Sequence, residues 1–137
     1  MEVYARIKGT IKNSKKMKEE DYKNMVSMLI RATNEKKIKW TETSNPALGY
    51  TTEVRGCRLK IWSVYDMQLD DSSYGLSLAN PDGKVFSTYS FSEMDNSDDY
   101  VQLAVLYNAI RDVVYRISES EILILKGLQN LVDPDND

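Results

Sequence analysis

The 137-residue chain contains no histidine. That absence removes Ser-His-Asp and Cys-His catalysis, histidine-ligated zinc and the usual general base near neutral pH. A single cysteine, Cys57, cannot close an intramolecular disulfide and reads as a free thiol of a reducing compartment. No apolar run approaches the ~20 residues needed to cross a bilayer, and Met1–Lys12 alternates where a signal peptide would be continuously apolar, so a cytoplasmic location is expected. Phosphate loops, dinucleotide glycine fingerprints, metal-ligand spacings and kinase motifs are also missing. The carboxylates Asp66, Asp70 and Asp71, and Asp95, Asp98 and Asp99, read as a solvated loop and a helix start. No enzyme, cofactor or metal is expected.

Charge is scarce on neither side but unevenly placed. Residues 1–40 carry eleven Lys/Arg against five Asp/Glu, and residues 41–137 carry seven against sixteen. Such asymmetry favours subunit association or a charged partner. The basic stretch lacks the interleaved aromatic residues that single-strand binders use, so nucleic acid is not the expected ligand.

What is present is a long oily helix. From Asp98 to Ile117, Tyr100, Leu103, Tyr107, Ile110, Val114 and Ile117 recur at helical spacing, and Val105, Leu106, Ala109 and Val113 widen the stripe past half of the circumference. A sheet can cover one side only, so this helix calls for a second packing partner. The polar residues set into it, Asn108, Arg111 and Arg116, are the first candidates for a ligand: a buried guanidinium demands an acceptor such as phosphate or carboxylate. The alternative, that Arg111 pairs with Asp112 or with a neighbouring acid at a subunit contact, stands beside it.

The rest of the chain supplies a sheet and two more helices. Loose alternation suggests a short strand over Val3–Ile11. Tyr22, Met25, Val26, Leu29 and Ile30 predict a helix from Asp21 to about Asn34. Extended segments follow at Ile38–Glu42, broken at Ser44-Asn45-Pro46, then at Tyr50–Arg55, with a turn at Gly56-Cys57. Arg58–Tyr65 places Leu59 and Ile61 on one face and Arg58, Lys60 and Trp62 on the other. An acidic loop, Asp66–Ser73, leads to Tyr74, Leu76 and Leu78. The turn Asn80-Pro81-Asp82-Gly83 joins Tyr74–Ala79 to Lys84–Phe91 as a hairpin, with Val85, Ser87, Tyr89 and Phe91 on one face and Phe86 on the other. Ser118 and Glu121 have capping-box spacing for a last helix whose Ile122, Leu123, Ile124, Leu125, Leu128 and Leu131 are too apolar for a monomer's surface. Asp133–Asp137 is expected to be a solvated tail. The sum is one α+β domain spanning 1–137: an antiparallel meander of about four or five strands, an N-terminal helix and two C-terminal helices.

A helix, then Trp40-Thr41-Glu42-Thr43, then Gly49-Tyr50, then Asn80-Pro81-Asp82-Gly83-Lys84-Val85, then Leu106-Tyr107-Asn108-Ala109-Ile110-Arg111: this order over residues 20–132 resembles the phage anti-Thoeris sponge proteins. Those proteins sequester the cyclic ADP-ribose signal of a host TIR-domain defence enzyme. The resemblance implies binding without catalysis, a homo-oligomer (a dimer or larger) of intertwined helices in the host cytoplasm, and intact cyclic nucleotides held between subunits. Cyclic oligonucleotides in separate pockets are implied for some members. Met1–Lys18 lies outside the shared motifs. Under that reading Arg111, with Arg116 and Arg58 behind it, is the expected phosphate ligand. Phe91, with Tyr89 or Tyr107 in reserve, is the expected adenine partner, and Asn108 reads an edge. A nucleic-acid-binding or transcription-regulatory module, and an inhibitor that blocks a host protein directly, are the alternatives.

Overall fold

The computed structural model describes residues 17–43 and 49–134. The strand expected at Val3–Ile11, the break at Ser44-Asn45-Pro46 and the last three residues of the tail lie outside the described residues. Within them the fold is α+β. The elements run α1 (Glu19–Asn34), β1 (Thr41–Thr43), β2 (Gly49–Val54), β3 (Cys57–Asp66), β4 (Asp71–Ala79), β5 (Val85–Ser92), α2 (Asp98–Tyr115) and α3 (Ile117–Val132). The five strands form one antiparallel sheet in the order β1-β2-β3-β4-β5.

Alternation decides which face is covered. Tyr50 pairs with Ile61, Leu59 with Leu78, and Ile61 with Leu76, so their side chains share one face, and all of them are buried. Onto that face α1 lays Tyr22, Val26 and Leu29, and α2 lays Leu103, Leu106, Tyr107 and Ile110. The spacing of three and four residues within each set makes each one side of a helix. Rings join the layers: Tyr107 lies 5.4 Å from Tyr50 and 5.2 Å from Tyr74, and Tyr22 lies 4.3 Å from Tyr89, centroid to centroid.

Helix α1 starts two residues earlier than the apolar pattern suggests, because Glu19, Glu20 and Asp21 all favour the positive end of the helix dipole. It ends in a Schellman motif: Lys36 takes a positive φ of 58°, its N–H donates to Thr33 O, and the Lys37 N–H donates to Ala32 O at 2.8 Å. Trp40 then returns the chain to the core, its indole N–H donating at 3.0 Å to the buried Thr33 hydroxyl, which itself donates to Leu29 O.

Three hairpin details differ from the expected ones. The β2–β3 turn is Arg55-Gly56, both residues at positive φ (54° and 84°) as a two-residue hairpin turn of this twist requires. Cys57 is therefore not part of the turn but the first residue of β3, paired with Val54. The acidic loop shortens to Met67–Asp70, since Tyr65 pairs with Ser72 and Val64 with Ser73. In the third hairpin Asn80 Oδ1 accepts from the Asp82 and Lys84 N–H groups, and Gly83 takes φ 88°. Its ladder then slips by one residue, Leu78 opposing Ser87 but Ala79 opposing Val85. That bulge swings Phe86 round to line the helix-side face with Leu59 and Leu78, against the strict alternation expected of it.

The Tyr22 hydroxyl is buried and finds no partner among the described residues. Burial, with Asp99 and Tyr89 adding to it, pushes its pKa well above the ordinary tyrosine value. Burial does the same to Tyr50, helped by its hydrogen bond with Tyr115. A raised pKa means that the folded state holds the proton that the unfolded chain releases. The stabilisation is thus complete below about pH 10 and is lost as pH rises from there towards the folded values. Urea unfolding should show stability falling above about pH 10. Tyr22→Phe, which removes an unsatisfied hydroxyl, should add about 1 kcal/mol at neutral pH and lessen the alkaline loss. Identical alkaline curves for the two proteins would contradict this assignment.

Candidate functional site

With Leu103, Leu106, Tyr107 and Ile110 turned to the sheet, α2 leaves a second face uncovered. Val101, Val105 and Tyr115 are 55%, 48% and 44% exposed on it. Asn108 lies in the same stripe and Arg111 on its flank, both exposed. The Asn108 amide nitrogen donates to Ala104 O at 2.9 Å, one turn back, which leaves its Oδ1 to accept from a ligand. Arg111 has no ion pair among the described residues, and Asp112, its partner under the alternative reading, is engaged elsewhere. Asp112 accepts from the Ser118 N–H at 3.0 Å and from the Ser118 hydroxyl at 2.9 Å.

Those bonds define the joint between α2 and α3. Arg116 stands between the helices in the left-handed region, φ 53° and ψ 45°, a strained place for a residue with a Cβ. The capping box expected of Ser118 and Glu121 does not form. Helix α3 begins at Ile117, and Ser118 reaches back to Asp112 instead. The Arg116 guanidinium holds Glu119, at 2.7 Å from Nη2 and 3.1 Å from Nε, and Lys36 adds a second cation at 3.6 Å. Arg116 accordingly keeps the Glu119 carboxyl below its usual range, and Glu119 raises Arg116 in turn. A hollow of about 180 Å³ sits at this joint, lined by Lys36, Asp112, Val113, Arg116, Ser118 and Glu119. An anion entering it competes with Glu119 for Arg116, whereas Arg111 is free of that competition.

The other sequence candidates lie elsewhere. Tyr107 is buried between Tyr50 and Tyr74. Tyr89 and Phe91 pack on Tyr22, beneath α1. Arg58 is the second residue of β3, on the face of the sheet turned away from the helices, with its guanidinium 3.2 Å from Glu53. The structure thus brings Asn108, Arg111 and Arg116 to the outer side of α2 and its joint, and puts Tyr89, Phe91, Tyr107 and Arg58 apart from them. The exposed ring on this outer face is Tyr115, whose hydroxyl donates to Glu42.

A second feature lies on the face of the sheet turned away from the helices. Trp62 opposes Gly49 on one neighbouring strand and Gly75 on the other. Its indole lies over Gly75 so closely that a Cβ there would fall 2.3 Å from the ring. Lys60 sits 6.0 Å from the ring centroid. The sequence signal was available: glycine is unfavourable inside a strand, and two of them flank one tryptophan.

Asp66, Asp70 and Asp71 are taken up in local hydrogen bonds. Asp66 accepts from the Gln68 and Leu69 N–H groups, Asp71 takes the Ser92 hydroxyl at 2.5 Å, and Asp70 takes the Tyr65 hydroxyl. Ser97, ahead of Asp98 and Asp99, caps α2 by accepting from the Tyr100 N–H. Among the described residues no cluster of acids and cysteine could hold a metal ion. No protein-family model, curated protein or solved structure matches this chain.

Proposed function

We propose that the protein acts by binding alone: it sequesters a cyclic ADP-ribose isomer, and by extension cyclic oligonucleotides, so that the signal does not reach its receptor in host antiphage defence. The motif order from Trp40 to Arg111 suggests the ligand. The observation that carries the reading is the outer face of α2, where an arginine with no ion pair among the described residues and an asparagine stand among exposed Val101, Val105 and Tyr115, beside an α3 that is exposed from Ser118 onward. A second copy covering this face would desolvate Arg111, and a guanidinium out of water requires an anion. In this scheme Arg111 holds the linked phosphates, Asn108 accepts from a base or ribose edge, and Tyr115 offers its ring.

Calorimetric titration with a panel of cyclic ADP-ribose isomers and cyclic di- and trinucleotides tests it, followed by mass analysis of what heating releases. The expected result is tight binding of one panel member, recovered unchanged. Arg111→Ala should cost about 1.5–3 kcal/mol, roughly 10- to 150-fold in Kd, with the assembly intact. An assembly that loosens instead would assign Arg111 to a subunit contact. Silence across the whole panel would end the reading, and recovery of linear ADP-ribose would mean an enzyme. The exposed apolar α3 also favours a second reading, direct blockade of a host protein through that helix.

A further inference from the structure

On the face of the sheet turned away from α1 and α2, strand pairing sets the side chains in rows. One row runs Thr43, Gly49, Trp62, Gly75, Ser90, and the next runs Thr41, Thr51, Lys60, Ser77, Thr88. Glu53, Arg58 and Ala79 make a third. Trp62 stands on the middle strand with a glycine on each neighbouring strand, so no side chain crowds it from either side. Its indole rests against the Gly75 backbone, where an added Cβ would fall 2.3 Å from the ring, and the residue stays partly exposed.

Charge on this face is sorted along the strands. Among the described residues, Lys60, Arg58 and Lys39 stand on the hairpin side of Trp62 against one acid, Glu53, on a chain whose net charge is −3. The Lys60 ammonium lies 6.0 Å from the Trp62 ring centroid. Beyond it a hollow of about 410 Å³ is lined by Lys39, Thr41, Thr51, Thr52, Glu53 and Arg58. Asp66 and Asp71 lie at the opposite end of β3 and β4, engaged by loop N–H groups and by the Ser92 hydroxyl. From Trp62 to Arg58 is four residues of extended chain, roughly 13 Å, with a ring at one end and cations along the way.

We propose that this face binds a short stretch of single-stranded nucleic acid, one base stacked on Trp62 and the adjoining phosphates held by Lys60, Arg58 and Lys39. A ring with cations beside it suits a strand of unpaired bases, since every base offers a face to stack and every unit carries a negative charge. A duplex keeps its bases stacked within, and a neutral sugar polymer leaves the cations unanswered. The basic stretch of residues 1–40 lacks stacking rings of its own, and the fold supplies one: Lys39 comes from that stretch and Trp62 from β3. An arriving phosphate competes with Glu53, 3.2 Å from the Arg58 guanidinium. The inference is independent of the cyclic-nucleotide reading, which concerns α2 on the other side of the sheet.

The chain has two tryptophans, and Trp40 is buried, so a ligand that quenches tryptophan fluorescence reports on Trp62. A short oligothymidylate titrated into the full chain should bind, quench that fluorescence and lose affinity as salt rises. Trp62→Ala should weaken binding roughly 5- to 150-fold. Because that change also strips the cover from Gly75, two changes that keep the ring accompany it. Lys60→Gln should reduce the salt slope by about 0.7, and Glu53→Gln, which releases Arg58, should tighten binding. Arg111→Ala should leave oligonucleotide binding unchanged. The proposal is overturned if the oligonucleotide does not bind, or if a duplex or heparin binds equally well without quenching, which would mean charge alone. It is equally overturned if maltohexaose quenches the tryptophan and the oligonucleotide does not. Oligonucleotide binding with no response to any cyclic nucleotide would sink the ligand reading above and leave this one standing, and the reverse pattern would do the opposite.

Discussion

If a second copy covers α3 along with the outer face of α2, changing Ile124 and Leu128 together to glutamate is expected to leave monomers without harming the folded body. In the single chain these side chains are 60% and 52% exposed, so their loss removes no contact from the core. They matter only where a partner covers them. Burying each is worth about 1.5–3 kcal/mol, so losing both should weaken association by roughly 10²- to 10⁴-fold. A desolvated carboxylate adds to that cost, and a two-fold dimer suffers it twice. Light scattering across the micromolar range reads the assembly, and circular dichroism with a melting curve reads the body. Undiminished association would take α3 out of the contact. Loss of secondary structure or of the melting transition would mean that α3 packs against its own chain.

Leu106→Ala should have the largest effect on the fold itself. The residue is fully buried between α2 and the sheet, and a leucine removed from such a place costs about 2–5 kcal/mol through lost transfer energy and the cavity left behind. That is a large share of the ~5–15 kcal/mol by which domains of this size are stable. Its neighbour provides the control: Val105 is 48% exposed, and Val105→Ala should change the stability of the isolated chain by no more than about 0.5 kcal/mol. Denaturant midpoints at matched slopes decide the matter. Similar losses at both positions would mean that α2 is rotated from the orientation described, and the assignment of Asn108 and Arg111 to the outer face would go with it.

Much of the fold was written in local pattern. Alternation at Leu59–Ile61 and at Tyr74–Leu76–Leu78 named the inward face of the two central strands, and the Asn80–Gly83 turn announced its hairpin. The three-and-four spacing of Tyr22, Val26 and Leu29 placed α1. These signals are strong because each residue type fits one backbone geometry and one side of an element. The bulge at Phe86 and the joint at Arg116 were not legible in this way. Neither position carries a glycine, and both geometries are imposed by longer-range fit: the ladder register for one, the Asp112–Ser118 bonds for the other.

The candidate site divides along the same line. Composition and missing histidine argued for binding over catalysis, and periodicity put Tyr107, Asn108 and Arg111 on one helix. Periodicity fixes the angles between residues on a helix but not its rotation against a neighbour. Where more than half of the surface is apolar, as on α2, several rotations bury similar area. Packing against Tyr50 and Tyr74 chose the rotation that sinks Tyr107 and turns Asn108 and Arg111 outward. Tyr89 and Phe91, reasonable stacking rings by chemistry, were claimed by Tyr22 for the same reason: an aromatic residue goes where the most surface is buried, and that depends on residues distant in the chain.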